Sequence, residues 1–436
     1  MAQNLKAPAK RDSMTSNTPR PQKFPAGPSM ANNCRAGERI APSKIVDLVS
    51  YAIRDIVAAA EEEVKKGKQI DWLNIGDPSA YDFAPPRRIL EAAAEALLSG
   101  KYTGYAPSGG DPELRRVIAG VEGCGNNEVF VTSGLSEGID MALRILLDAG
   151  DSVLFPNPTY PLYATKADVF GAESIYYECD EKWLPDIDRL RESIKASTKA
   201  IVVINPNNPT GAVYPYSVLK EIADLAAEFN LAIIADEVYD HVLFEGVEMH
   251  KLKDIAKDVP VFSGNSLSKN FLYPGARVGY MAIHNDDGRG FLNAFMKMCN
   301  QRLSINWELQ RGAIAAYNGD YTFLKPSIEK LQRRSDILCG KIAEIPGLSV
   351  VAPKGALYTF VKVDGYESDG KHDNRPDWNF TYDLLRTEGV LVVPGSAFYK
   401  NHPEEIYFRT TLLPDEMTMD RVVGKLEKFM KARHQG

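Results

Sequence analysis

Residues 200–239 read AIVVINPNNPTGAVYPYSVLKEIADLAAEFNLAIIADEVY. Two short apolar runs, Ala200–Ile204 and Leu231–Ala235, bracket a segment, Ser217–Phe229, with apolar residues at helical spacing. A strand, a crossover helix and a second strand form a parallel βαβ unit, and the unbroken apolar runs mark strands buried on both faces. Each run is closed by a polar residue, Asn205 and Asp236. In an open α/β sheet that edge is where ligands bind.

The same rhythm extends in both directions. Upstream, short β-rich runs at Glu128–Thr132, Ser152–Phe155 and Ser174–Tyr177 alternate with helical segments at Ser136–Leu147, Leu162–Val169 and Ile187–Ile194. Downstream, Val259–Phe262 completes the series. The alternation predicts a mostly parallel sheet flanked by helices. After about Asp320 the pattern changes to a long helix, Lys325–Ile345, strands near Leu348–Val351, Leu357–Val363, Val390–Val393 and Ile406–Arg409, a helix near Tyr382–Arg386 and a final helix past Pro414. This reads as a smaller α+β domain. Near the start, Ile45 to Val64 has helical spacing and stops at Gly67, and an apolar strand, Ile70–Ile75, runs into the turn Gly76-Asp77-Pro78.

Composition narrows the function. A chain of 436 residues exceeds one ordinary hydrophobic core, so two domains are expected. A net charge of -7 argues against a nucleic-acid partner. No apolar run is long enough to cross a bilayer, so no membrane role is expected. The five cysteines form no C-x-x-C pair, which suits reduced thiols and a cytoplasmic location. The six histidines have no zinc-like spacing, and no metal is expected. Residues 1–39 are polar, basic and poor in acidic side chains, which reads as a disordered solvated tail. Import into an organelle through that tail stays open.

The chemistry-bearing residues fall at the carboxyl ends of the expected strands. Ser133, Gly134 and Leu135 follow one strand and open a helix, where free N–H groups and the helix dipole favour a phosphate. Ser266, Ser268 and Arg277 add donors to the same anion. The spacing G-x-x-x-x-G-K-[ST] is absent, so a nucleoside triphosphate is not indicated. Lys269, taken alone, reads as one more anion contact. Asp236 changes the weighing, because a buried carboxylate needs a cationic or proton-donating partner. A lysine for a Schiff base, a carboxylate for a pyridinium nitrogen and a phosphate site are together what pyridoxal 5'-phosphate requires. Simpler readings stand beside these. Tyr160 and Tyr239 suit a plain core, Asn207 a turn, and Arg409 a surface strand.

From about Ile40 to its end the chain resembles the fold-type-I pyridoxal-phosphate aminotransferases of the class I/II group. The resemblance rests on Leu73-Asn74-Ile75-Gly76-Asp77-Pro78, Thr132-Ser133-Gly134, Asn205-Pro206-Asn207-Asn208-Pro209-Thr210-Gly211, Asp236-Glu237-Val238-Tyr239, and Ser266-Leu267-Ser268-Lys269 followed by Pro274-Gly275-Ala276-Arg277-Val278-Gly279, in this order. It implies that Lys269 forms the Schiff base and moves the proton, and that Asp236 keeps the pyridine nitrogen protonated. Asn208 and Tyr239 would donate to the ring oxygen, and Tyr160 would stack on the ring. Ser133, Gly134, Leu135, Ser266, Ser268 and Arg277 would contact phosphate, and Tyr105 would reach the phosphate of a neighbouring subunit in a homodimer. Arg409, Gly76 and Asn208 would hold the substrate. The expected organisation is a tail (1–39), an N-terminal segment joining the small domain (40–75), a large cofactor-binding domain (76–320) and a small C-terminal domain (321–436).

The pattern is most similar to alanine- and glutamate-using members, through Tyr160-Pro161-Leu162-Tyr163, Asn205 to Tyr214 and Arg302-Leu303-Ser304. Transfer of an amino group from alanine to 2-oxoglutarate is the expectation. Aromatic, branched-chain and aspartate aminotransferases, and a carbon–sulfur lyase on the same fold, are the alternatives. Arg302 is the one candidate for a distal carboxylate. Asn270–Tyr273 departs from the usual loop of the alanine-type members, and Ile118–Asn127 is short for the group.

Overall fold

The computed structural model describes residues 41–49, 52–367 and 374–434, so the tail expected over residues 1–39 lies outside it. The strands are β1 Asp71–Trp72, β2 Val129–Thr132, β3 Ser152–Asn157, β4 Glu173–Glu178, β5 Thr198–Ile204, β6 Ala232–Asp236, β7 Val261–Ser266, β8 Gly279–His284, β9 Leu348–Val350, β10 Tyr358–Val363, β11 Val390–Leu391, β12 Val393–Pro394 and β13 Ile406–Thr411. Seven of them form one sheet in the order β2-β8-β7-β6-β5-β3-β4. Strand β8 runs antiparallel to both β2 and β7, and the other pairs are parallel. The carboxyl ends of β2, β5, β6 and β7 therefore share one edge, and β6 is the middle strand.

Alternation along β5 and β6 sorts their side chains between two layers. Ile201, Val203, Ile233 and Ala235 pack with Leu219, Ile222 and Leu225 of the helix Tyr216–Glu228. Val202, Ile204 and Ile234 face the opposite core with Ile139, Ala142 and Leu143 of the helix Leu135–Leu146. Each fully buried Ile or Val stabilises the sheet by roughly 1.5–3 kcal/mol relative to exposure. A sheet covered on both faces leaves only its edges for polar work.

A second sheet, β12-β13-β10-β9, is antiparallel throughout. The helices Lys325–Ile342, Pro376–Glu388 and Glu416–His434 follow the expected order around it. The helix Ala52–Lys65 buries Ile53 against Phe360, Val393 and Phe398, and Ile56 and Ala60 against Trp378, Leu385 and Leu391. No helix among the described residues is long and apolar enough to cross a membrane.

Several elements differ from expectation. The strand expected over Ile70–Ile75 is only β1, because its parallel partner β11 offers two residues. Beyond Trp72 the extended chain leaves the ladder. The helix expected from Ile45 onward is a 3₁₀ turn, Lys44–Leu48, and then a helix from Ala52. The last strand of the βα series starts and ends later than Val259–Phe262, reaching Ser266, so Ser266 belongs to the strand itself. Strand β8 and the helices Arg87–Leu98, Phe291–Arg302 and Trp307–Tyr317 were not anticipated.

Gly279, at the start of β8, fixes how the sheet edge meets the following helix. A Cβ there would stand 2.6 Å from the Leu135 nitrogen and 2.7 Å from the Gly134 carbonyl carbon, both backbone atoms. Gly279→Ala is expected to destabilise the protein by about 1–3 kcal/mol or more in urea unfolding, because backbone rather than a flexible side chain must yield.

Candidate active site

A cavity of about 300 Å³ opens at the carboxyl edge of β5, β6 and β7, with β10, β13 and the helix Ala52–Lys65 on its other walls. Gly76, Leu135, Tyr160, Asn208, Asp236, Tyr239, Ser266, Ser268, Lys269, Arg277 and Arg409 all line it. Three residues read from the sequence do not. Ser133 and Gly134 stand behind Arg277, whose Nη2 donates to the Ser133 carbonyl at 3.1 Å. Tyr105 lies outside the cavity and is 84% exposed.

Asp236 ends the middle strand with its carboxylate buried. Oδ2 accepts from the Tyr163 hydroxyl at 2.8 Å, and Oδ1 accepts from the Val238 N–H at 3.2 Å. Burial pushes its pKa from 3.8 up to about 6, while the Tyr163 hydrogen bond, the Val238 N–H and the Lys269 charge pull the other way. Two neutral donors and one more distant amine do not compensate the charge, so the carboxylate favours a cation placed in the cavity.

Lys269 lies in the short helix Leu267–Asn270 directly after β7. Its Nζ donates to the Gly76 carbonyl at 2.5 Å. The Tyr358 hydroxyl crowds the same point, since a Cβ on Gly76 would stand 1.8 Å from it. Only glycine leaves room there. Tyr358 and Tyr239 place their hydroxyls 3.5 Å apart. Burial raises the Tyr239 phenol well above its ordinary value. Burial would raise Tyr358 too, but the charges of Lys269 and Arg409 outweigh it and hold that phenol below its ordinary value.

Arg409 is 1% exposed and reaches from β13 toward the large sheet. Its Nη1 donates to Asn208 Oδ1 at 3.1 Å and its Nη2 to the Asn74 carbonyl at 2.6 Å. Tyr358 and Phe398 cover its guanidinium at 4.2 and 4.7 Å from their ring centres. Among the described residues no carboxylate is paired with it, and its Nε is buried without a partner. A buried, planar, fixed guanidinium of this kind suits a carboxylate ligand.

The remaining wall is built of Leu135, Ser266, Ser268 and Arg277. The helix Leu135–Leu146 begins after Gly134, at φ 69°, with no side chain capping its first turn. A Cβ on Gly134 would stand 2.1 Å from Arg277 Nη2, so the loop depends on glycine to admit the guanidinium. Ser266 Oγ accepts from the Ser268 N–H at 3.2 Å, which sets both serines at the cavity wall.

The sequence reading missed Tyr163 and Tyr358. Both are buried tyrosines on core-facing positions and carry no local pattern that separates them from packing residues. The reading of Asn207 as a turn residue fits its contacts, for its Oδ1 accepts from the Thr210 N–H and hydroxyl at 3.2 and 2.9 Å. Arg302 does not reach the cavity. It donates to the Ser108 and Val131 carbonyls at 2.9 and 3.2 Å and stands 3.3 Å from Glu137.

Residues 69–426 match the family described as aminotransferase class I and II. The chain is 34% identical over 406 residues to the glutamate-pyruvate aminotransferase AlaA of Haemophilus influenzae, covering 89% of this chain and 98% of that protein. It is 35% identical over 409 residues to an alanine aminotransferase of Mycobacterium tuberculosis, covering 90% and 93%. Among solved structures, alanine aminotransferase from Pyrococcus furiosus superposes with a TM-score of 0.85 at 37% identity, covering 90% of this chain and all of that one.

Asp236 makes stability depend on pH in the ligand-free protein. Its folded-state pKa lies above the unfolded value, so the linked stability is fully present below about pH 4 and is lost as pH rises through about 6. The loss by pH 8 is on the order of 3 kcal/mol. Ligand-free Asp236→Asn is therefore expected to gain on the parent protein at pH 8, with the gain disappearing near pH 4, in chemical denaturation at both pH values.

Proposed function

This chain belongs to the class I and II aminotransferase family, and from that premise we propose that it moves the amino group of L-alanine to 2-oxoglutarate with pyridoxal 5'-phosphate as cofactor. The convergence of Lys269, Asp236 and Arg409 in one cavity carries the reading.

The residues present fit that cofactor. Asp236 lacks a full counter-charge, as a carboxylate that meets a pyridinium should. The first turn of the helix Leu135–Leu146, Ser266, Ser268 and Arg277 suit a phosphate dianion. When bound, pyridoxal phosphate supplies an electron-withdrawing ring and the carbonyl carbon on which an amino group is carried between substrates.

The chain's own groups then divide the work. With that cofactor bound, Asp236 would hold the proton at the ring nitrogen, with Tyr163 fixing the carboxylate's orientation. Asn208 and Tyr239 would donate to the cofactor's ring oxygen, and Tyr160 would cover a ring face. Lys269 would carry the cofactor and, once displaced, would serve as the base that moves the proton at the substrate's Cα. Arg409 clamps the substrate α-carboxylate beside Gly76, and the Tyr358 and Phe398 rings keep its guanidinium in plane.

Alanine is favoured by the names of the relatives reported above. Arg302 is tied to Glu137 and two carbonyls, and the arginines that line the cavity are Arg54, Arg277 and Arg409. We also propose a cytoplasmic homodimer in which the exposed Tyr105 completes the neighbouring site.

Steady-state kinetics test the reading. Alanine and 2-oxoglutarate are expected to give parallel double-reciprocal lines, with kcat/KM for alanine at least about tenfold above those for aspartate, tyrosine and leucine. Intersecting lines, a better aromatic or acidic donor, or multiple-turnover release of keto acid without an acceptor would overturn it. Arg409→Gln is expected to lower kcat/KM for every amino donor by roughly 100-fold, about 3 kcal/mol, while the cofactor's visible band persists.

A further inference from the structure

Behind the cavity wall, on the side away from the substrate, lies a buried polar knot that the proposed chemistry does not use. Asp240 follows Tyr239, and Asn270 follows Lys269; in each of these two pairs the first member lines the cavity. Asp240 is 7% exposed and Asn270 2%. Asn270 Nδ2 donates to Asp240 Oδ1 at 2.5 Å and to Asn265 Oδ1 at 3.2 Å. Asn265 Nδ2 donates to the same Asp240 oxygen at 2.9 Å and to the Glu237 carbonyl at 3.0 Å. Asn265 Oδ1 also accepts from the Ser266 N–H at 2.7 Å, and Asn270 Oδ1 from the His241 N–H at 3.3 Å.

These bonds join two separate segments of chain. One, residues 236–241, carries Asp236 and Tyr239. The other, residues 265–270, carries Ser266, Ser268 and Lys269. Backbone pairing ends at the strand termini, where Asp236 pairs with Gly264. Beyond that point the knot supplies the cross-links described above. Its charge is balanced by Lys251, whose Nζ stands 2.6 Å from Asp240 Oδ2 and 3.7 Å from Glu237. Asn270 also belongs to the segment that departs from the alanine-type pattern.

We infer that Asn270, through Asp240 and Asn265, is a positioning residue that holds the Lys269 amine in register with Asp236 and Tyr239. The inference rests on the role proposed above for Lys269. An amide is the right group because it meets a carboxylate with a donor and a backbone N–H with an acceptor at once. A displacement of the order of 1 Å at a reacting group costs roughly 100-fold in rate, so a modest loosening behind Lys269 is visible in turnover.

The test compares Asn270→Ala with the parent holoenzyme in three measurements: kcat and KM for alanine, the midpoint of the pH titration of the cofactor's visible band, and thermal unfolding. The expected result is a kcat at least about tenfold lower, KM within about threefold, and a titration midpoint moved by at least about half a pH unit. A lower Tm with unchanged kcat and midpoint would make the knot structural only and overturn the inference. A parent protein that forms no visible band removes the role of Lys269 and the inference with it.

Asn270→Asp keeps the side chain's size and serves if the alanine variant does not fold. It sets a second carboxylate against Asp240, with Lys251, Glu237, Glu122, His241, Tyr280, Tyr317 and Tyr321 as the other ionisable groups around the pair. Two carboxylates so close share a proton at low pH, which restores a donor. Its kcat relative to the parent is therefore expected to rise as pH falls from 8.5 to 6. A ratio that stays at the parent's value across that range would overturn the inference.

Discussion

A carboxylate buried at the end of the middle strand of a seven-stranded sheet is the constraint around which this molecule is arranged. Asp236 sits there because both faces of β6 are covered by apolar side chains and only the strand's end is open. Burial makes its charge costly, and Tyr163 and one N–H offset only part of that cost. The same geometry that isolates Asp236 brings Ser266 and the Lys269 turn to its side, since β7 is its parallel neighbour. The sheet thus creates an electrostatic demand and supplies the groups that surround its answer.

The second sheet contributes the opposite charge. Arg409 pairs in register with Phe360 and Val393, which lie on its flanking strands, and its guanidinium emerges between Tyr358 and Phe398. Its hydrogen bonds reach Asn208 on the loop after β5 and the Asn74 carbonyl in the segment after β1. One side chain therefore ties the small sheet, the large sheet and the N-terminal segment around a single cavity. The short β1 gains its sense here. The chain leaves the ladder after Trp72, and the carbonyls of Asn74 and Gly76 then serve Arg409 and Lys269.

Much of this was legible in the sequence, and the physical reasons are specific. Runs such as Ile201–Ile204 and Ile233–Ala235 are apolar without interruption, so burial on both faces can be read directly. The polar residues that close them mark the edge, and Lys269, Asp236, Asn208 and Arg277 do line one cavity. Strand β8 was hidden because it returns antiparallel straight from the Pro274-Gly275 turn, with no crossover helix to announce it. Tyr163 and Tyr358 were hidden for another reason. Their rings pack as core residues do, and only the third dimension brings their hydroxyls against Asp236 and Gly76. Asn270 looked like a local departure, and its meaning depends on Asp240, thirty residues away.

The most direct measurement on the central claim is chemical. The protein, loaded with pyridoxal phosphate, is reduced with borohydride, digested and mapped by mass spectrometry. The account predicts that a reduced pyridoxyl group is found on the peptide containing Lys269 and on no other lysine. A modified peptide elsewhere, or none at all, would contradict the reading of Lys269 and Asp236 from which the rest follows.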